Sequence, residues 1–364
     1  MQKFDKRNKD INIWINGKLF HRDEAKVSVF DSLLQGGDAV WEGIRVYDGK
    51  IFCLDKHLNR LLESAKSMDF KDIPEVSDIK EAIFTTLESN GMNKDTHIRL
   101  TLSRGRKITS GMNPALNQFG CTLIVLAEWK SSIYSGKKLK LVTANIRRNS
   151  PLCLDSKIHH NNLINNILAK IEANNAGVDD AIMLDLNGFV AETNATNIFM
   201  IKDGVVSTPY PKACLPGITR GLVIDICKNN NIPVFEKDIS VTELYNADQV
   251  FTTGTMGELA KVIEIDNRKI IDIISCLCSV CACNPNTLAP NPPETISLSY
   301  PTTPPVIYAP ANNRAGNGSA SSPSAICLVV LISFRSCNKL AKLCLSTTLN
   351  HLPSPASCNT LINI

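Results

Sequence analysis

The sequence of 364 residues lacks three features, each of which would indicate a particular class of protein. Its longest uncharged apolar stretch, Ala325 to Phe334, has ten residues, about half of what a membrane-spanning helix needs. It has no run of five basic residues, and its formal net charge is only +4. No apolar segment follows the basic residues at its start. These absences argue against a membrane protein, a nucleic-acid-binding protein and a secreted protein.

Cysteine is also scarce in most of the chain. Of the 13 cysteines, five fall in residues 1–271 and eight in residues 272–364. The first five are scattered singly among apolar neighbours, a distribution typical of buried thiols in a reducing compartment. The sequence therefore favours the cytosol and leaves an organelle open.

The last 93 residues have a different composition from the rest. They contain 11 of the 18 prolines but only six charged residues. Such a segment has few helix formers and no amphipathic period, so we predict a disordered tail over residues 272–364. Two origins remain open: a lineage-specific tail, or an error such as a shifted reading frame.

Before this boundary, regular hydrophobic periods indicate two units. In the first, apolar residues recur at helical spacing over 54–68 and 76–87, and strand-like runs cover 97–103 and 121–128. The second combines a helix over 161–173 with a meander of short strands. We therefore predict a two-domain α+β or α/β fold, with a small domain over 1–130, a linker over 131–138 and a larger domain over 139–271.

Two loops of the second unit suit an anion. In LPGITR (Leu215 to Arg220) a glycine precedes a helix, whose amides and dipole favour negative charge. In TTGTMG (Thr252 to Gly257) small residues follow a strand. Arg60, on a helix of the first unit, is a further candidate. Taken singly, each is more often a structural turn or a surface arginine.

Lys157 and Glu192 extend this pattern. Most lysines are surface charges, but an ammonium near the start of a helix is destabilised, which makes the neutral amine available as a nucleophile. Glu192 ends the strand-like run FVAET. A lysine bonded to a pyridine cofactor needs a carboxylate that holds the ring nitrogen protonated. Amine, carboxylate, arginine and two amide-rich loops are together what a pyridoxal phosphate site requires.

Seven motifs carry a resemblance over nearly three-quarters of the chain. They are QGGDAVWEGIR, HLNRL, RRNSP, LDSK, ETNATNIF, LPGITR and TGTMGEL. The sequence resembles the class IV (fold-type IV) pyridoxal-phosphate aminotransferases, and among them the branched-chain-amino-acid aminotransferase-like proteins. The resemblance implies a D-amino acid aminotransferase-like fold, in which a small α/β domain precedes a larger pseudobarrel domain. It also implies pyridoxal 5'-phosphate as cofactor and a homodimer.

The resemblance also implies roles for particular residues. Lys157 would form the Schiff base, and Glu192 would hold the pyridine nitrogen. The phosphate would be bound by Arg60, the amides of Ile218 and Thr219, and Thr255. The substrate pocket would be lined by Trp41, Arg45 and Arg99.

The implied reaction is transfer of an amino group from an amino acid to a 2-oxo acid. Gly36 and Asn162 stand where the branched-chain enzymes have aromatic side chains, so the donor remains open between a branched-chain L-amino acid and a D-amino acid. Aminodeoxychorismate lyase, which releases pyruvate, is an alternative with the same cofactor. A non-catalytic or metal-binding interaction protein is an alternative of another class.

Two further groups of residues have simpler explanations. His159-His160 could suggest a metal, but adjacent histidines point in different directions and have no carboxylate or cysteine at ligand spacing, so we predict no metal site. The Cys276 to Cys283 cluster lacks the second ligand pair of a zinc site. For Arg147 and Arg148 we predict a structural role.

Overall fold

The computed structural model describes residues 4–134 and 136–270. The predicted disordered tail, residues 272–364, and its cysteine cluster lie outside the described residues. Within the described part of the chain, no helix is long and apolar enough to cross a membrane.

The first sheet is antiparallel and has six strands in the order β2-β1-β6-β5-β3-β4. The strands are β1 (Asn12–Ile15), β2 (Lys18–His21), β3 (Ala39–Tyr47), β4 (Lys50–Ile51), β5 (Thr96–Ser103) and β6 (Thr122–Trp129). Two of its hairpins turn at the predicted Asn-Gly and Asp-Gly pairs, where Asn16 and Asp48 adopt positive φ angles. This sheet provides one side of the site described below.

Three α-helices accompany this sheet: α1 (Ser32–Gly36), α2 (Leu54–Ser67) and α3 (Val76–Ser89). There are also short 3-10 helices at Lys6–Asp10 and Pro114–Leu116. The apolar stripe of α2, including Leu58 and Leu61, is fully buried against β3. Helix α3 packs on β6 and β1. The helical periods at 54–68 and 76–87 therefore predicted both the helices and the faces they bury.

The second sheet is mixed and has nine strands. Eight follow the order β12-β11-β10-β13-β14-β7-β8-β9, and β15 pairs with β14. The strands are β7 (Leu139–Thr143), β8 (Asp180–Leu184), β9 (Val190–Thr193), β10 (Asn197–Lys202), β11 (Val205–Pro209), β12 (Val234–Lys237), β13 (Gln249–Gly254), β14 (Glu258–Ile265) and β15 (Arg268–Lys269). The helices are α4 (Ile164–Asn175), α5 (Ile218–Asn229) and α6 (Val241–Tyr245).

Helix α4 departs from its prediction in two ways. It begins at Ile164 rather than Asn161, because the amide of Asn161 donates to the carbonyl of Ala39 on β3 at 2.9 Å. Its predicted apolar stripe is exposed by 43% to 63% at Ile164, Ile167, Leu168 and Ile171. The small side chains of Ala169 and Ala173 face β8 instead. The stripe is therefore available to contact another molecule.

Candidate active site

Two adjoining cavities lie where the two sheets meet. They share the side chains of Trp41 and His159, near the first sheet, and Glu192, on the second. Arg60 of α2 and residues of LPGITR and TTGTMG line the first cavity. The fold therefore brings together most of the residues that the sequence predicts for the cofactor site.

On the side of the first sheet, a buried carboxylate organises the wall. Glu42 of β3 accepts hydrogen bonds from Arg60 Nε at 2.8 Å and Nη2 at 2.7 Å. The Nδ1 atoms of His57 and His159 lie 2.7 Å and 3.1 Å from its oxygens. We call these four residues the Glu42 cluster. These contacts hold the carboxylate of Glu42 and fix the guanidinium of Arg60 at the cavity, whereas Nε2 of His57 has no partner in the described residues.

Burial and charge set the ionisation of this cluster. Burial alone would raise the pKa of Glu42, but His159, Arg60 and His57 together hold that pKa well below its ordinary value. Burial lowers the pKa of His57 and of His159. The cluster therefore pairs one buried carboxylate with one guanidinium.

The side chain of Trp41 lines both cavities. Its ring centroid lies 4.1 Å from that of His159, and the guanidinium carbon of Arg99 lies 3.4 Å from the indole centroid. The indole Nε1 donates to the carbonyl of His160 at 3.1 Å. These contacts hold the indole in one orientation.

Glu192 is the buried acid of the second sheet. Its Oε1 accepts from Arg148 Nε at 2.6 Å, and its Oε2 accepts from Asn197 Nδ2 at 3.1 Å. Burial raises the pKa of Glu192, whereas the charge of Arg148 lowers it. The carboxylate is thus buried and held in one orientation. Glu192 lines both cavities.

The start of α5 supplies the predicted anion cradle. Gly217 is the N-cap, and Ile218 and Thr219 line the first cavity. A Cβ at Gly217 would lie only 2.1 Å from Oδ1 of Asn197, which explains the glycine. Among the described residues, the buried hydroxyl of Thr219 has no hydrogen-bond partner. A helix start with an unpaired hydroxyl suits a phosphate.

The TTGTMG loop completes this side of the cavity. Thr253 and Gly254 are the last residues of β13, Thr255 follows them, and all three line the same space. The buried hydroxyl of Thr253 likewise lacks a partner in the described part of the chain. Both predicted anion loops therefore converge with Arg60 on one cavity.

Lys157 does not join this group. Its amine lies 3.3 Å from Oδ2 of Asp155, its side chain is 48% exposed, and it lines neither cavity. The prediction that Lys157 forms the Schiff base therefore stays a prediction.

The two other arginines predicted for the substrate pocket lie beside the cavities rather than in their linings. Arg99 reaches them through Trp41, and burial lowers the pKa of its guanidinium to about 10. Arg45 is buried and donates to the carbonyl of Lys130.

Three residues of the site were not recognised from the sequence. Glu42 gave no signal beyond its place inside QGGDAVWEGIR. Arg148 was predicted to be structural, and it is the ion-pair partner of Glu192. His159 was considered only as a metal ligand. In the described residues no three His, Cys, Asp or Glu side chains group as a metal site.

The sequence model of the family "Amino-transferase class IV" matches residues 39–265. The chain belongs to this family. It is 59% identical over 264 residues to branched-chain-amino-acid aminotransferase-like protein 2 of Arabidopsis thaliana, covering 72% of this chain and 47% of that protein. The chain also covers 48% of branched-chain-amino-acid aminotransferase-like protein 1 of the same organism, at 58% identity. The chain thus spans about half the length of these two curated relatives.

Solved structures of class IV members share the fold. The branched-chain aminotransferase of Escherichia coli superposes with a TM-score of 0.69 at 30% identity, over 72% of this chain and 89% of that one. The T.th. branched-chain enzyme, complexed with N-(5'-phosphopyridoxyl)-L-glutamate, gives 0.67 at 35% identity, over 72% and 87%. The expected fold-type IV architecture is confirmed.

The residues present fit pyridoxal phosphate in part. Arg60, the start of α5 and two unpaired hydroxyls suit its phosphate, and Glu192 suits its ring nitrogen. The amine of Lys157, which is predicted to bond to the cofactor, lies beside Asp155 and outside the linings of both cavities. The chain's geometry therefore supports binding of the cofactor's phosphate and ring nitrogen.

Proposed function

We propose that this chain binds pyridoxal phosphate and transfers an amino group from an amino acid to a 2-oxo acid. The observation that carries the proposal is the convergence of Arg60, the start of α5 and Glu192 on one cavity. An anion cradle and a buried carboxylate are the two polar requirements of a phosphorylated pyridine. The relatives are named as an aminotransferase-like protein and an aminotransferase, and both names agree with this chemistry.

Different residues of the chain would bind the phosphate and the ring nitrogen of the cofactor. Arg60, the amides of Ile218 and Thr219, and Thr255 would hold the phosphate. Glu192 would keep a proton on the ring nitrogen, and Arg148 and Asn197 would fix its carboxylate. When bound, pyridoxal phosphate withdraws electrons from the α-carbon of an amino acid, which allows its amino group to be transferred.

The substrate would lie against the wall formed by Trp41. Arg99, which packs on the indole outside both cavity linings, would attract a substrate carboxylate on that side through its charge. Arg45, which is buried behind the cavity, would support the wall rather than touch the substrate. The relatives' names favour branched-chain donors, and a D-amino acid remains the alternative to test.

The reaction is tested by incubating the chain and pyridoxal phosphate with single amino acids. L-leucine, L-isoleucine, L-valine and D-alanine are each supplied with and without 2-oxoglutarate, and chromatography measures the 2-oxo acid and glutamate formed. We expect products only when the acceptor is present. Pyruvate released from aminodeoxychorismate without an acceptor would support the lyase instead. Cofactor binding without either product would contradict the proposed reaction.

We also propose that the chain forms a homodimer through the exposed stripe of α4. Four large apolar side chains on one helix face are costly to leave in water. Light scattering should give twice the monomer mass, and Ile167→Lys should reduce it to that of a monomer. Phe235→Lys, at an exposed position of β12 on the opposite edge of the sheet, is the matched control and should leave the mass unchanged. A monomeric parent protein would contradict the proposal.

The cytosol is the proposed compartment. In the described residues no disulfide joins the five cysteines, which are Cys53, Cys121, Cys153, Cys214 and Cys227. Free thiols persist in a reducing environment.

A further inference from the structure

The second cavity is lined by three residues that have a buried polar atom without a partner. Arg148 and His160, which are only 6% and 2% exposed, both line it. Arg148 Nη1 and His160 Nε2 form no hydrogen bond in the part of the chain that the structure describes, and neither does the buried Oδ1 of Asn166, on α4. Because unpaired buried polar atoms cost stability, three of them around one cavity indicate a ligand.

The contacts of His160 show which of its ring nitrogens carries the proton. Nδ1 accepts a hydrogen bond from the amide of Asn162 at 3.1 Å. Burial and the charge of Arg148 lower the pKa of His160 to about 4, so the ring is neutral at neutral pH. A neutral imidazole that accepts at Nδ1 carries its proton on Nε2. His160 Nε2 is therefore a hydrogen-bond donor.

Together the three unpaired atoms match a hydroxyl group. Arg148 Nη1 and His160 Nε2 are donors. Asn166 Nδ2 donates to the carbonyl of Asn194 at 2.8 Å, so Asn166 Oδ1 is an acceptor. A hydroxyl oxygen accepts two hydrogen bonds and donates one, whereas an ionised carboxylate only accepts. The charge of Arg148 is already balanced by Glu192 at 2.6 Å, which also favours a neutral group over an anion.

The shape of pyridoxal phosphate would bring such a hydroxyl to this cavity. Its phosphate arm and its 3-hydroxyl are on ring carbons that lie on opposite sides of the axis through the ring nitrogen. The proposed function places the phosphate in the first cavity, at Arg60 and the start of α5, and the nitrogen at Glu192, which lines both cavities. With the phosphate and the nitrogen held in this way, the 3-hydroxyl points toward the second cavity.

We propose that Arg148, His160 and Asn166 bind the 3-hydroxyl of pyridoxal phosphate in the second cavity. The inference rests on the proposed function for the identity of the cofactor and for the placement of its phosphate and nitrogen. It makes the second cavity a part of the cofactor site. A ring held at its phosphate, its nitrogen and its hydroxyl has one orientation, which fixes the position of its reactive carbon.

Calorimetry on the full chain with two ligands tests the inference. The first ligand is deoxypyridoxine 5'-phosphate, which has the phosphate, nitrogen and 3-hydroxyl of pyridoxal phosphate but no aldehyde. The second is the same pyridine without its 3-hydroxyl. Neither can form a covalent bond with a lysine, so the comparison measures the hydroxyl alone. The parent protein should bind the first ligand about tenfold more tightly, a difference of about 1.4 kcal/mol.

Two variants test which residues bind the hydroxyl. His160→Phe keeps an aromatic ring but has no donor, so it should weaken binding of the hydroxyl-bearing ligand only and reduce the preference to about threefold. Asn166→Leu, at a half-buried position, should reduce the preference in the same way, and it replaces His160→Phe if circular dichroism shows that variant to be unfolded. Asn165→Leu is the matched control at the next position of α4. The Asn165 amide bonds to Arg147 and Asn149 and lines neither cavity, so the preference should stay as in the parent.

The outcomes separate this inference from the proposed function. Equal binding of the two ligands by the parent protein, or a preference that neither His160→Phe nor Asn166→Leu reduces, would overturn the inference alone. Failure of the parent protein to bind either ligand would overturn both.

Discussion

The two walls of the cavity differ in whether their polar groups have hydrogen-bond partners. On the first-sheet side, the carboxylate of Glu42 is paired with Arg60, His57 and His159 without a ligand, and in this cluster His57 Nε2 is the one buried atom with no partner among the described residues. On the second-sheet side, the hydroxyls of Thr219 and Thr253 are buried with no partner among the described residues. A saturated wall contributes stability and fixed geometry, whereas unpaired buried groups cost stability and are available for binding. Substitutions on the first-sheet side should therefore reduce the free energy of unfolding, and substitutions on the second-sheet side should reduce the affinity for the ligand.

The largest effect is expected at the centre of the saturated wall. Glu42→Gln keeps the side-chain volume but removes the fully buried charge that balances the guanidinium of Arg60, whose side chain is 12% exposed. Breaking a buried pair in this way costs roughly 3–5 kcal/mol. Urea unfolding should show this loss without any cofactor present.

Glu264→Gln is the matched control for that substitution. Glu264 pairs with the half-exposed Lys140 at 3.1 Å. Exposed pairs contribute about 0–1 kcal/mol, so this variant should unfold almost like the parent. Equal losses from Glu42→Gln and Glu264→Gln would show that the Glu42 cluster is not a special source of stability.

The sequence predicted the second-sheet wall better than the first. LPGITR and TTGTMG are local motifs, since a glycine and a helix start make an anion site within six residues. The Glu42 cluster instead joins residues from β3, α2 and the loop after Asp155, and only the tertiary fold brings them together. The same limit applies to Lys157, because its spacing from α4 does not predict the turn that the Ile158 amide closes on the Asp155 carbonyl. It also explains α4. The hydrophobic period of α4 predicted an apolar face, but not whether that face packs against the rest of the chain.

The next effect is a loss of stability in acid on the first-sheet side. His97 of β5 lies against Gly43, which lines the cavity, and burial lowers the pKa of His97 from 6.5 to about 3. Between pH 7.5 and pH 5 the unfolded chain binds a proton at this position that the folded chain does not. His97 alone should therefore remove about 2 kcal/mol of stability over that interval.

His97→Gln tests this by abolishing the titration. The difference in unfolding free energy between pH 7.5 and pH 5 should shrink by about 2 kcal/mol in the variant. Ile98→Val, at a buried neighbour on β5, should lose about 0.5–1.5 kcal/mol equally at both pH values. An undiminished pH difference in His97→Gln would mean that other groups carry the acid sensitivity.

The smallest effect is expected at the unsaturated wall, and a pair of identical substitutions isolates it. The Thr219 hydroxyl has no partner in the described chain, whereas the equally buried Thr208 hydroxyl donates to the Ile198 carbonyl at 2.8 Å. Thr219→Val should weaken pyridoxal phosphate binding about fivefold, or about 1 kcal/mol. Its free energy of unfolding should be unchanged or slightly higher, because the variant no longer buries an unpaired hydroxyl. Thr208→Val should do the reverse, with about 1 kcal/mol less stability and unchanged affinity. If Thr219→Val lost stability but not affinity, its hydroxyl would belong to the fold rather than to the ligand, and the two walls would not differ in kind.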